Sequence, residues 1–268
     1  MKWFFTDFDG TLRNSRTHEN EINLNDLEFV KTLQKNGHKL IVATGRPYSS
    51  IKKYIEAQYQ LHPDFYICNA GATINNQKDD VLYTHEFYKK DQDLITEKLI
   101  EMEKEITSII YATSTEEKML FDKEWNFEKE KLFIDMTPQN NEINILHDKK
   151  LICFKILCEK PVWNKIVEWL ESQNLRVNLT TNNVKGLTFS EIHPEGINKG
   201  NAIRILQSQF NFKDSDVIVA GDDNNDISMF EEFFDNSYII EQAYNADIQK
   251  YAKNIIQQIS EIAVNRNE

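Results

Sequence analysis

The sequence predicts an α/β chain: a doubly wound parallel sheet with a second, α+β domain inserted into it. Three observations carry this. Short apolar runs at residues 3–5, 39–43, 65–68 and 217–220 each stop at small or polar residues. Helical patterns separate these runs, the rhythm of parallel strands joined by crossover helices. That rhythm breaks off after Cys68 and resumes near Asn198, and in between strands outnumber helices and often adjoin directly.

The first run reads Lys-Trp-Phe-Phe-Thr-Asp-Phe-Asp-Gly-Thr-Leu over residues 2–12. Its consecutive aromatics suit a strand covered on both faces. Asp7 and Asp9 stand at its carboxyl end, where open α/β sheets bind ligands, and Gly10 lets the backbone turn away. Residues 13–21 show no periodicity and are expected as a loop. Leu24, Leu27, Val30 and Leu33 recur every three residues before Gly37, which predicts an amphipathic helix with a glycine cap. The strand at 39–43 stops at Thr44-Gly45-Arg46-Pro47. Pro47 suits the first turn of a helix that buries Tyr48, Ile51, Tyr54 and Ile55. The third strand, 65–68, ends in Asn69-Ala70-Gly71.

Residues 72–74 and 81–83 flank a polar stretch and read as a hairpin. Helices are expected at 91–105 and 161–172, and strands at 106–112, 118–121, 151–157, 175–180 and 187–192. Residues 125–144 follow no single pattern. The core domain is assigned to 1–82 and 187–268. The insert, 83–186, is long enough to hold its own core. The crossings at 83–87 and 184–187 are the expected hinges, the second containing Gly186. The first rhythm then resumes with a helix at 198–209, the strand at 217–220, another helix, a short strand at 238–240 and a last helix at 245–255.

The 268 residues carry a net charge of −12, which disfavours nucleic acid or an anionic membrane surface as a partner. An anionic substrate would need local cations. No apolar run approaches the ~20 residues of a membrane span, and Met1-Lys2 runs straight into the first strand, so a cytoplasmic protein is expected. Cys68, Cys153 and Cys158 lie in or beside apolar runs. They read as buried thiols of a reducing compartment, not as a disulfide frame or a zinc site.

Four stretches pair a strand end or helix start with reactive residues: Asp7/Asp9, Thr44-Gly45-Arg46, Asn198-Lys199-Gly200 and residues 222–226. Two like charges ~4 Å apart at an effective dielectric of ~20 repel by about 4 kcal/mol. Paired strand-end acids therefore call for a metal or a retained proton. Each stretch alone also has a plainer reading: a polar turn at Asp7, a helix cap at Thr44, a solvated helix-start lysine at Lys199. Residues 222–226 imitate half a calcium loop, but Ile227 and Phe233 stand where an EF-hand needs Gly and Glu.

Taken together and in this order, the four stretches resemble the motifs of the haloacid dehalogenase superfamily, and within it the Cof-type sugar-phosphatase-like hydrolases. Asp7-x-Asp9-Gly10-Thr11-Leu12 matches the first motif, Thr44-Gly45-Arg46 the second, Lys199-Gly200 the third and Gly221-Asp222-x-x-Asn225-Asp226 the fourth. The insert matches that subfamily's cap in position and size. Asn69-Ala70-Gly71 replaces the usual Asn-Gly-Ala, and residues 239–243 stand where relatives often carry Met-Gly-Asn-Ala.

The resemblance implies a Mg2+-dependent phosphatase acting on small phosphate monoesters, sugar phosphates or phosphorylated cofactor precursors, through an aspartyl phosphate. Asp7 would be the nucleophile and Asp9 the general acid and base. Asp7, Asp222 and Asp9, the last through its carbonyl, would bind Mg2+. Thr44 and Lys199 would bind the phosphoryl oxygens, Gly45 would line the substrate site, Asn225 would contact the phosphate or Lys199, and Asp226 would orient Lys199 or the waters of the metal. Arg46 is open between phosphate, substrate and a structural ion pair. The partner would be a small phosphorylated metabolite, and the chain a monomer or homodimer. A hexose phosphomutase shares the same intermediate, and a catalytically silent binding or regulatory protein shares the fold.

Overall fold

The computed structural model describes residues 1–14, 21–132, 136–184 and 187–264. Contacts divide the chain into one unit of Met1–Tyr83 with Asn198–Glu268 and another of Thr84–Ile197. Elements are numbered along the chain. The first unit contains β1 (Trp3–Thr6), α1 (Leu24–Lys35), β2 (Lys39–Ala43), α2 (Tyr48–Tyr59), β3 (Phe65–Cys68), β4 (Thr73–Asn76) and β5 (Val81–Thr84). The second contains α3 (Lys89–Glu101), β6 (Ile106–Ala112), β7 (Glu117–Asp122), α4 (Phe127–Leu132), β8 (Cys153–Cys158), α5 (Lys160–Ser172), β9 (Val177–Val184) and β10 (Leu187–Pro194). The chain then returns to the first unit with α6 (Lys199–Phe210), β11 (Val217–Gly221), α7 (Ile227–Glu232), β12 (Ser237–Ile240) and β13 (Asn254–Ile256).

The first unit is an eight-stranded sheet in the order β13-β12-β11-β1-β2-β3-β4-β5. The pairs from β13 to β3 are parallel, and β4 runs antiparallel to β3. Alternation along β1 explains the two layers of core. Trp3 and Phe5 pack with Ala202, Ile203 and Leu206 of α6 and with Met229 and Phe230 of α7. Phe4 points the other way, toward Val30 and Leu33 of α1 and Ile51 and Ile55 of α2. Helices on both faces of a parallel sheet are the doubly wound arrangement the sequence predicts.

The second unit is a five-stranded antiparallel sheet in the order β7-β6-β8-β10-β9. One face carries Ile109, Tyr111, Phe154, Ile156 and Ile192, packed under Ile95 and Leu99 of α3 and Val162, Ile166 and Leu170 of α5.

Three expectations change. The second crossing lies at Ile197/Asn198 rather than at 186/187, because β10 pairs along its whole length with β9 and also with β8. The proposed hinge residues Lys185 and Gly186 lie outside the described residues. The last helix does not form: Gln249–Tyr251 makes a single 3-10 turn and Asn254–Ile256 adds an edge strand, pairing Ile255 with Ile239. Here a ladder partner outweighs helical spacing. Finally, Leu24 is 80% exposed while Val30 and Leu33 are buried, since a spacing of three drifts off a face whose period is 3.6.

Candidate active site

β1, β2 and β11 are neighbours, and their carboxyl ends place three of the four sequence stretches side by side. The Asp7 N–H continues the ladder by donating to the Ala220 carbonyl at 2.8 Å, so Asp7 leaves β1 beside the end of β11, where Asp222 follows Gly221. On the other side Thr44 leaves β2, its N–H donating to Ile67. The fourth stretch comes from the start of α6. Asn198 caps that helix by accepting from the Asn201 N–H at 2.8 Å, which fixes Lys199 in the first turn.

Lys199 is 0% exposed. Its Nζ donates to Asp7 Oδ1 at 2.5 Å and to Asp226 Oδ1 at 2.6 Å. Burial opposes its charge, but the Asp226 and Asp7 carboxylates outweigh burial and raise its pKa, so it stays an ammonium. Asp226 is itself anchored: its Oδ2 accepts the N–H groups of Asp222 at 2.9 Å and Asp223 at 3.1 Å. A Cβ at Gly221 would run into this carboxyl, so the close turn needs glycine there. Asn225 sits half-buried in the same 3-10 turn.

Asp222 Oδ1 accepts from the Thr11 hydroxyl at 2.6 Å, and its Oδ2 accepts from the Tyr244 hydroxyl. Gly10 stands at φ +92°, and a Cβ there would strike the Asp222 carboxylate. The glycine thus serves both the turn and the close approach. Burial, with the Asp226 charge adding to it, pushes the Asp222 carboxyl up to about 7. Asp7 is likewise raised well above the carboxylate range by burial, Lys199 opposing and Asp226 and Asp222 adding.

Carboxylate oxygens of Asp7, Asp222 and Asp226 lie within 4.8 Å of one another, all buried. Three acids against one lysine are poorly balanced, and oxygen-only donors suit a hard divalent ion such as Mg2+. The donor set fits such an ion. Asp226 already spends its oxygens on Lys199 and two N–H groups, which leaves Asp7 and Asp222 as the carboxylates with most capacity. The Asp9 carboxylate does not join the group; the expected contribution of Asp9 to the metal is its backbone carbonyl. The carboxylate is 41% exposed and turned to arginines. Arg46 holds it with Nε at 2.6 Å and a second nitrogen at 2.9 Å, and Arg13 donates to it as well. Burial pushes Asp9 up, but the Arg46 and Arg13 guanidinium groups bring it below the ordinary carboxylate value. Arg46 therefore forms an ion pair, with its guanidinium 5.3 Å from the Phe8 ring centre. Thr44 is buried, and its hydroxyl accepts the Arg46 N–H at 3.1 Å, with Gly45 between them.

A sequence model of the haloacid dehalogenase-like hydrolases matches residues 4–266. The chain belongs to that family. An uncharacterised protein of Mycoplasma capricolum subsp. capricolum is 42% identical over 262 residues, covering 97% of this chain and 98% of its own length. Among solved structures, the subclass IIB sugar phosphatase BT4131 superposes with a TM-score of 0.78 at 20% identity, covering 97% of each chain. TM0651 from Thermotoga maritima gives 0.77 at 19% identity and 98% of each chain. These two share the fold of this hydrolase.

Sequence reasoning missed four of the hydrolase's site residues. Tyr244 bonds Asp222, Arg13 bonds Asp9, and Gln242 donates to the Gly10 carbonyl at 2.8 Å. Asn245 bridges the Asp222 and Ile240 carbonyls at 2.7 and 2.9 Å. Only the departure at residues 239–243 pointed toward this loop.

Proposed function

We propose that this hydrolase is a Mg2+-dependent phosphatase that cleaves small phosphate monoesters through a phosphorylated Asp7. One observation carries the reading. Lys199 holds Asp7 Oδ1, Asp222 lies alongside, and Asp7 Oδ2 accepts no hydrogen bond among the described residues. That oxygen is the one left to attack phosphorus. As it does so the bond from phosphorus to the alcohol oxygen breaks, and Asp9 donates the proton that oxygen needs. A water then attacks the phosphoryl group, Asp9 takes its proton, and Asp7 is regenerated as phosphate leaves. Asp9 can carry a proton only if Arg46 and Arg13 release it, so substrate arrival must loosen that clamp. Lys199 and the Thr44 hydroxyl bind phosphoryl oxygens, the lysine opposing the growing negative charge. Asp7, Asp222 and the Asp9 carbonyl would hold Mg2+, which would supply Lewis acidity and offset the repulsion between Asp7 and a dianionic substrate.

The Thr84–Ile197 unit is the proposed source of specificity, and its size favours small substrates over macromolecules. Among the described residues no helix is long and apolar enough to cross a membrane. With three free thiols, the expected setting is the cytoplasm, as a monomer or homodimer.

The test is inorganic phosphate release from an aryl phosphate and from a panel of phosphorylated metabolites, with Mg2+ and with EDTA. Release with Mg2+ that EDTA abolishes and Mg2+ restores is expected, with Ca2+ a poor substitute because its geometry is larger and looser. Full activity in EDTA refutes the metal site. Sugar-phosphate isomerisation without release marks a phosphomutase, and no turnover by folded protein marks a silent binding role.

A further inference from the structure

The Thr84–Ile197 unit holds a second set of metal-ligand side chains. The antiparallel pairing of Ile192 with Phe154 puts His193 of β10 beside Cys153 of β8. Glu191, two residues back along β10, faces the same way. The three are 0–1% exposed, and each offers a ligand atom within 4.8 Å of the others. His193 Nε2 lies 2.9 Å from Glu191 Oε2 and 3.6 Å from Cys153 Sγ.

We propose that Cys153, Glu191 and His193 form a second divalent-metal site, suited to zinc and separate from the acid cluster of Asp7. The donor types are decisive. Thiolate and imidazole select zinc, whereas magnesium takes oxygen. Tetrahedral zinc at ~2.3 Å from sulfur and ~2.0 Å from nitrogen holds those two atoms about 3.5 Å apart, close to the 3.6 Å spacing here. A nucleophilic Cys-His-Glu relay would use both ring nitrogens, one for the thiol and one for the carboxylate. Here both partners meet the same nitrogen, so they converge on a point instead of forming a chain. Among the described residues the ring's polar partners meet only Nε2, and the buried Nδ1 makes no hydrogen bond. The ring is oriented to put Nε2 between sulfur and carboxylate.

The surroundings hold the ligands in place. Lys155 pairs with Glu191 Oε1 at 3.3 Å and with Glu117 at 2.8 Å. The Thr180 hydroxyl reaches Glu191 Oε2 at 3.3 Å. Such outer partners fix the rotamer of a ligating carboxylate. Burial, with Glu191 adding, raises the Cys153 thiol, so the metal-free thiol keeps its proton. Zinc binding forms the Zn–S bond and releases that proton to solvent. The Nε2 lone pair ligates while the ring proton resides on Nδ1, and Glu191 enters as the carboxylate. Three protein ligands leave the fourth position to water. Sequence spacing gave no sign of the site because Cys153 and His193 are 40 residues apart.

The experiment measures zinc retained after dialysis against buffer with excess Mg2+, and the spectrum of the Co2+-loaded protein. About one zinc per chain is expected, with a thiolate-to-cobalt charge-transfer band that the oxygen-only Asp7 cluster cannot give. Cys153→Ser should lose the band and nearly all the zinc, and His193→Gln should weaken binding at least tenfold. Asp7→Asn should keep both signals even if the phosphatase reading fails. Folded wild-type protein with neither zinc nor band, or a band that survives Cys153→Ser, overturns the proposal. Should Cys153→Ser not fold, X-ray absorption of zinc-loaded wild type decides: a sulfur neighbour at ~2.3 Å supports the site, and a shell without sulfur refutes it.

Discussion

Asp222 couples the stability of the metal-free protein to pH, and the sign can be worked out from its surroundings. Its carboxyl rises from the ordinary 3.8 to about 7 in the folded protein. Between those values the folded chain holds a proton that the unfolded chain has lost. The stabilisation is therefore full below pH 3.8 and disappears as pH rises through about 7. At 1.36 kcal/mol per pH unit the difference amounts to about 4 kcal/mol, on the order of 10 °C in Tm for a unit of this size. Asp7, also raised, acts in the same direction. His38, lowered chiefly by burial, acts in the opposite one. The isolating measurement is therefore the Tm difference between wild type and Asp222→Asn, both metal-free, followed from pH 5.5 to 8. That difference should fall steadily as pH rises. Saturating Mg2+ should remove the fall for wild type, since bound metal takes the place of the proton. A difference that is flat, or that grows with pH, refutes the assignment of Asp222 as a buried acid lacking a counter-charge.

Other substitutions test other parts of the site. Asp7→Asn should keep the fold and lose essentially all turnover; more than a tenth of wild-type activity would exclude Asp7 as the nucleophile. Lys199→Met strands Asp7 and Asp226 without their shared cation, so it should cost about 3–5 kcal/mol in urea unfolding as well as activity; wild-type stability would mean that the buried pairs are not formed in solution. Replacing Thr84–Ile197 by a Gly-Ser linker should leave a core that binds Mg2+ and phosphate but no longer ranks sugar and nucleotide phosphates, and an unchanged ranking would show that the insert does not select the substrate.

The central strands were legible because each is a local signal: Trp3-Phe4-Phe5 and residues 39–43 are continuous apolar runs, and the neighbours they need follow from chain order. The four motif stretches were legible because reactive residues at strand ends have few structural uses. The partnerships among them were another matter. Arg46 was named, but its ion pair with Asp9 depends on where two loops meet, and no spacing along the chain encodes that distance. Arg13 is clearer still, since it lies in what reads as a featureless polar stretch and acquires a role only because the Gly10 turn folds it back, its N–H donating to the Phe8 carbonyl and its carbonyl accepting from the Gly10 N–H.

The segment at residues 239–245 shows most plainly why pattern reading stops short. Asn245 opens the stretch 245–255 that is expected as a last helix. Asn245 instead spends its amide on the Asp222 and Ile240 carbonyls and its carbonyl oxygen on the Gln242 N–H at 3.0 Å. Side-chain bonds to backbone compete directly with helix formation, and here they are long-range, so their value appears only once β11 and β12 are adjacent. Of the residues in the departing stretch 239–243, Gln242 reaches the Gly10 turn, and just beyond it Tyr244 and Asn245 brace Asp222 at its side chain and its backbone. The loop differs in letters while still holding the acid on which the proposed metal site depends.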